Sequence, residues 1–198
     1  MIKSISDSQL EIIKNIQTLY TGNIQCDVTF SKGAFWKGLD EPTLKFDICP
    51  PTNRPDVIQA DCRKLPITNG IVKSMMYDPP FIVAHGKESV IGNRFSSYKT
   101  MKELWQFYDD SLKEFNRVIS KKGHLIVKCQ DIVSGGRNHL SHVFICNMAE
   151  KYGFENVDLF ILTAKHRMTT HNTTKQKHAR KYHSYFLVFQ KKNDYLSV

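Results

Sequence analysis

Ile71-Val72-Lys73-Ser74-Met75-Met76-Tyr77-Asp78-Pro79-Pro80-Phe81 is the stretch around which this 198-residue chain is organised. Its first seven residues make a strand-sized, mainly apolar run, and Asp78-Pro79-Pro80 ends that run sharply. Proline fixes φ, lacks an amide N–H and pushes the residue before it into extended backbone, so two in succession make a rigid turn. The Asp78 carboxylate and the Pro79 carbonyl can then converge on one point. Paired acceptors of that kind suit an exocyclic amino group, which offers two N–H donors. Phe81 adds a flat face on which a base could stack.

Outward from this segment, strand patterns alternate with helix patterns. Strands are expected at Ile24–Phe30, Leu44–Cys49, Asp56–Ala60, Ile71–Tyr77, His124–Cys129, Val157–Ala164 and Ser184–Gln190. Ser6-Asp7-Ser8-Gln9 offers capping chemistry for a helix carrying Leu10, Ile13, Ile16 and Leu19. A long amphipathic helix is expected over Thr100–Ser120 and another over Asn138–Tyr152. The pattern reads as one α/β domain over residues 1–198, a doubly wound sheet of seven strands with helices on both faces. The N-terminal helix falls within residues 1–22. No helix pattern separates the last two strands, so they are expected to be an antiparallel pair at one edge, the last strand reversed. A basic loop, residues 165–183, joins them.

In doubly wound sheets, ligands bind at the carboxyl ends of the strands. Four such ends carry an aspartate: Asp27, Asp47, Asp61 and Asp78. An acid after the second strand suits ribose hydroxyls, and one after the third can accept from an adenine amino group. Together they describe an adenosine-shaped pocket, against the plainer reading of each aspartate as a turn or helix cap.

Charge and composition narrow the partners. The net charge is +9, from 28 Lys and Arg against 19 Asp and Glu. No acid occurs from Leu159 to Asn193, while Lys165, Arg167, Lys175, Lys177, Arg180, Lys181, Lys191 and Lys192 lie there. A basic segment of this kind points to a polyanion such as nucleic acid; a merely solvated loop is the alternative. The five cysteines include no Cys-x-x-Cys pair, which speaks against a disulfide framework or a cysteine metal site, and no metal is expected. His139 and His142 lie three apart with no third ligand nearby. The longest apolar runs are far short of the ~20 residues of a membrane helix, and the first residues lack a signal-peptide core. A cytoplasmic protein without a membrane partner is the expectation.

Asp78-Pro79-Pro80-Phe81 resembles the catalytic motif IV of S-adenosylmethionine-dependent amino-methyltransferases, which modify adenine N6 or cytosine N4. The order around it is similar to theirs: a motif I region at Asp27–Gly33, an acid at Asp47 and another at Asp61. His124–Asp131 and Gln176–Tyr185 resemble segments of small single-domain DNA methyltransferases of phage and prophage type. The resemblance implies a Rossmann-like class I methyltransferase sheet, S-adenosylmethionine as cofactor, and Asp78, Pro79, Pro80 and Phe81 as catalytic residues. It implies cofactor contacts from Asp27, Thr29, Phe30, Ser31, Lys32, Gly33, Asp47, Ile48, Asp61 and Cys62. The family's loop usually has two glycines where this chain has only Gly33, and Lys32 is a candidate partner for the methionine carboxylate. For nucleic acid the candidates are Lys128, Arg167, Lys175, Lys177, His178, Arg180 and Lys181, with Lys87, Asn93 and Arg94 after motif IV. Lys128 either points into the cleft or snorkels from the strand.

Three readings stay open. The substrate is DNA, by resemblance with adenine ahead of cytosine; or it is RNA; or the chain is a silent methyltransferase-like binding module. A monomer and a homodimer both fit. Methylation at cytosine carbon 5 is excluded for want of a Pro-Cys nucleophile, and a dinucleotide oxidoreductase for want of Gly-x-Gly-x-x-Gly.

Overall fold

Strands covered on both faces must be apolar on both, because successive side chains point to opposite sides. The computed structural model describes residues 1–81, 83, 98–165 and 177–193. Its strands are β1 (Ile5–Ser6), β2 (Cys26–Asp27), β3 (Leu44–Asp47), β4 (Ile58–Gln59), β5 (Val72–Tyr77), β6 (Ile119–Cys129), β7 (Ile132–Ser134), β8 (Arg137–His139), β9 (Phe154–Thr163) and β10 (His183–Lys191). Eight form one sheet in the order β1-β9-β10-β6-β5-β2-β3-β4, and β7 pairs with β8 apart from it. All neighbours in the large sheet are parallel except β10, which runs against both β6 and β9.

Alternation along the central strands divides the core. Met75, Tyr77, Leu125, Val127, Leu187 and Phe189 face one side, where α2 (Met101–Val118) and α3 (Ser141–Lys151) cover them. Met76, Ile126, Phe186 and Val188 face the other, under α1 (Gln9–Ile16) and Trp36. Helix α1 begins where Ser8 Oγ accepts the Glu11 amide, and α2 where Thr100 Oγ1 accepts the Glu103 amide. Leu104, Tyr108, Leu112 and Phe115 recur every three or four residues along the buried stripe of α2.

The seven expected strands are all present, and the last is the reversed one. Three details differ. Ile5–Ser6 adds an eighth strand, because the chain before α1 runs alongside β9. The reversed strand lies inside the sheet, between β6 and β9, while its antiparallel partner β9 stands next to the edge strand β1. The third helix starts at Ser141, because Arg137–His139 pairs back on Ile132–Ser134 through a turn at Gly135 and Gly136, both at positive φ. Between β2 and β5 no α-helix occurs. That stretch is interrupted by Gly33, Gly38, Pro50, Pro51, Pro55 and Pro66, and its one helical piece is a 3-10 turn at Ala34–Trp36.

Phe115 is fully buried and meets Tyr77 edge-on at 4.8 Å between ring centroids. Phe115→Ala is expected to destabilise the fold by about 3–5 kcal/mol, measured as a lower urea midpoint with unchanged m.

Candidate active site at the carboxyl edge of the sheet

Asp27 ends β2 with 2% of its surface exposed. One carboxylate oxygen accepts the Trp36 indole N–H at 2.7 Å, and the other accepts the Thr29 amide at 2.8 Å. Burial pushes the Asp27 carboxyl up to about 7, although the Thr29 amide and the Trp36 indole both favour its charged form. Thr29 then connects two strand ends. Its Oγ1 accepts the Asp78 amide at 2.8 Å while lying 3.3 Å from Asp27 Oδ1.

Asp78 follows β5 directly, with its side chain 27% exposed. Lys128, next to last in β6, places Nζ 3.2 Å from Asp78 Oδ2. The same Nζ lies 5.3 Å from the centre of the Phe35 ring and 5.8 Å from that of Phe186. Burial raises the Asp78 pKa, and the Lys128 charge and hydrogen bond oppose the rise. Among the described residues, Asp78 Oδ1 accepts no hydrogen bond. Pro79 is buried, and Pro80 and Phe81 are half-buried beside it.

The loop after β2 is shaped by two left-handed residues, Ser31 (φ 52) and Gly33 (φ 76). The Gly33 amide donates to the Phe30 carbonyl, and the Ser31 amide donates to Asp47 Oδ2 at 2.8 Å. Asp47 Oδ1 accepts the Cys49 amide at 2.8 Å. Each oxygen keeps one lone pair for a further donor. Ile48, next in sequence, is 56% exposed, and Lys32 is exposed on the loop. A Cβ at Gly33 would lie 2.9 Å from an Arg54 guanidinium nitrogen and 3.0 Å from the Phe30 ring, over which that guanidinium sits at 4.7 Å.

Asp61 is engaged by its neighbour. Its carboxylate holds the Arg63 guanidinium at 2.6 Å and accepts the Arg63 amide at 2.9 Å. That pairing holds its carboxyl below the usual carboxylate range. Cys62 is buried, with Sγ 3.6 Å from Ser111 Oγ.

Of the basic candidates, Lys177 and Arg180 are exposed and Lys181 is half-buried; none forms an ion pair with another described residue. His178 Nε2 lies 2.9 Å from the Gly136 carbonyl oxygen. Lys87, Asn93, Arg94, Arg167 and Lys175 lie outside the described residues. Lys128 extends its ammonium to Asp78.

Sequence reasoning missed Trp36, Phe35 and Phe186, which support Asp27 and Lys128. It also missed a polar group beyond β6. Asp131 is 4% exposed, with Oδ1 2.7 Å from His142 Nδ1 and Oδ2 3.4 Å from the Tyr185 hydroxyl, which lies 2.9 Å from His183 Nε2. The signal available was the polar pair Gln130-Asp131 directly after an apolar strand.

Asp27 also generates a stability test. Its raised pKa means that the folded state holds this proton more tightly than the unfolded chain. The stability it contributes is complete below the ordinary carboxylate value of 3.8 and is lost as pH rises through about 7. Asp27→Asn is expected to flatten that fall, measured by urea unfolding across the window, while weakening one hydrogen bond to Trp36 or Thr29.

No family model matches the chain, and no curated protein matches it. Solved structures do. An S-adenosylmethionine-dependent methyltransferase of Thermotoga maritima is 16% identical, with a TM-score of 0.53 over 94% of this chain and 90% of that one. The cyclase SpnF is 13% identical, with a TM-score of 0.55 over 92% of this chain and 80% of that one. A proposed DNA modification methylase of Thermus thermophilus is 17% identical over 70% of this chain, with a TM-score of 0.44. The chain spans 53% of that protein's length. What the first two likenesses establish is the fold, a Rossmann-like sheet of the kind found in S-adenosylmethionine-dependent methyltransferases.

Proposed function

We propose that this chain transfers a methyl group from S-adenosylmethionine to an exocyclic amino nitrogen of a nucleic-acid base, with DNA favoured over RNA and adenine N6 over cytosine N4. The observation that carries the reading is Asp78. It is a half-buried carboxylate on a rigid Pro79-Pro80 turn at the sheet's carboxyl edge, with Oδ1 unbonded among the described residues.

The residues present fit the cofactor. Asp47 retains acceptor capacity for a ribose diol, and the exposed Ile48 beside it offers an apolar surface to an adenine. Ser31, Lys32 and Gly33 would border the methionine part, and Cys62 the base. Asp27 would act one layer behind, since its oxygens are already committed to Trp36 and Thr29. Asp61 would need to share its carboxylate with Arg63. Bound there, S-adenosylmethionine supplies a methyl group made electrophilic by its sulfonium.

An exocyclic amino nitrogen is a poor nucleophile because its lone pair is delocalised into the ring. Asp78 Oδ1 and the Pro79 carbonyl would each accept one of its N–H bonds and favour a tetrahedral, more nucleophilic geometry. Positioning and electrostatics then supply most of the acceleration. The methylated nitrogen loses one proton, to water or to Asp78. In a duplex the base must first be flipped out at a cost of a few kcal/mol. Stacking on Phe81 would offset about 1–3 kcal/mol of it. Lys177, His178, Arg180 and Lys181 would meet phosphates, which position a nucleic acid without reading its sequence.

One observation favours a second reading, a silent binding module. The space in front of Gly33 is filled by Arg54 and Phe30.

Incubation with labelled S-adenosylmethionine and unmethylated DNA or RNA, followed by nucleoside analysis, separates the readings. Labelled N6-methyladenine in DNA is expected, with a loss of about 100-fold or more in Asp78→Ala. Label only in RNA would replace the substrate. Absence of label in both, with cofactor bound, would leave the binding module. In a salt titration of DNA binding, Lys177→Ala, Arg180→Ala and Lys181→Ala are each expected to lower the log K against log salt slope by about 1.

A further inference from the structure

Lys128 is the one lysine drawn onto the candidate catalytic carboxylate among the described residues, and its surroundings show why. It projects from β6 over two adjoining aromatic rings, Phe35 from the segment after β2 and Phe186 from β10. Those faces hold a cation without competing for its hydrogen bonds. The ammonium therefore reaches Asp78 Oδ2 from a fixed seat, with 19% of the Lys128 side chain exposed. Oδ1, on the other side of the same carboxylate, accepts no hydrogen bond from a described residue.

We infer that Lys128 is a positioning residue for methyl transfer: seated on Phe35 and Phe186, it binds Asp78 Oδ2 and so presents Oδ1, ionised and oriented, to the amino group of the target base. The inference rests on the amino-methyltransferase reading above and deepens it. A carboxyl this desolvated tends to take up a proton, and a protonated Asp78 would offer a weaker acceptor to the target. Lys128 counters that tendency while leaving the working oxygen free. A carboxylate so paired is also a poor proton acceptor, which favours water as the destination of the proton lost after methylation.

Among the described residues, four titratable groups interact electrostatically with Asp78. Lys128 and Cys129 come from β6, Tyr108 from α2 and Asp27 from β2. Burial pushes the Cys129 thiol and the Tyr108 phenol well above their ordinary values, so both stay neutral across the working range. Burial pushes the Asp27 carboxyl up to about 7, and the Asp78 charge adds to that rise. Among the described residues, Lys128 forms its one ion pair with Asp78, so replacing it acts on Asp78 first.

The test is single-turnover methyl transfer to unmethylated DNA as a function of pH, with Lys128→Met, Lys128→Gln and Lys128→Arg. Beside it, the Asp78 carboxyl carbon, assigned by its absence in Asp78→Asn, is titrated by NMR without DNA or cofactor. Lys128→Met and Lys128→Gln are expected to move the acid limb of the rate upward by about one pH unit, a roughly tenfold loss on that limb with recovery at alkaline pH. Lys128→Arg is expected to keep the limb in place, and the NMR midpoint is expected to move with the rate. A uniform rate loss at every pH with an unmoved Asp78 midpoint would overturn the inference and leave Lys128 a packing residue. A midpoint that moves in a protein whose wild type methylates no base would instead overturn the reading on which the inference rests, and the catalytic role with it, leaving the ion pair alone.

Discussion

Asp27 ends a central strand with almost no water around it, and a carboxylate in such a place must either be supplied with donors or give up its charge. The chain meets this demand by folding the segment after β2 back so that the Trp36 indole and the Thr29 amide both reach it. That single requirement sets the path of the loop. It also draws Thr29 into line to accept the Asp78 amide, so the ends of β2 and β5 are locked to each other. Trp36 then roofs one apolar face of the sheet together with Ile12, Ile13 and Ile16 from α1. The Asp78 backbone, placed by the pairing of β5 with β2 and β6, is thereby also tied to the loop that satisfies Asp27.

The other carboxylates on this edge are handled in three different ways. Asp47 accepts two backbone amides and clamps the left-handed Ser31 against β3. Asp61 is closed by the guanidinium of Arg63. Asp78 shares one oxygen with a lysine and leaves the other open among the described residues. Burial and partner, more than residue type, separate a structural acid from one available for chemistry. In the proposed reaction that separation lets Asp78 act on the target while Asp47 serves the cofactor.

A methyltransferase and a cyclase share this architecture with the chain, so the sheet alone does not select a reaction. The connection after β2 carries Gly33 near its start and Gly38 farther on. Arg54 stacks on Phe30 and fills the space in front of Gly33, while ion pairs to Glu41 and Asp56 hold it there. Side chains thereby brace the connection at Gly33.

Much of the architecture was legible in the sequence because it depends on short-range periodicity. Strands apolar on both faces, the stripe of α2 and the stop at Asp78-Pro79-Pro80 follow from spacing and from proline geometry, which act over a few residues. The absence of a helix pattern between the last two strands correctly implied their antiparallel pairing. The segments misjudged were those decided by which strand they pair with, one far along the chain and one in a local hairpin. Ile5–Ser6 becomes a strand only because β9 lies beside it, and Arg137–His139 leaves the expected helix to pair with Ile132–Ser134. At the site, the four aspartates could be placed at strand ends by pattern, but their differing states could not. The Trp36, Arg63 and Lys128 partners lie 9, 2 and 50 residues away from Asp27, Asp61 and Asp78. Sequence by itself determined which residues reach the carboxyl edge. Tertiary structure alone decided which of them stay charged and which oxygen is left open, because desolvation and Coulomb interactions depend on distance in space and not along the chain.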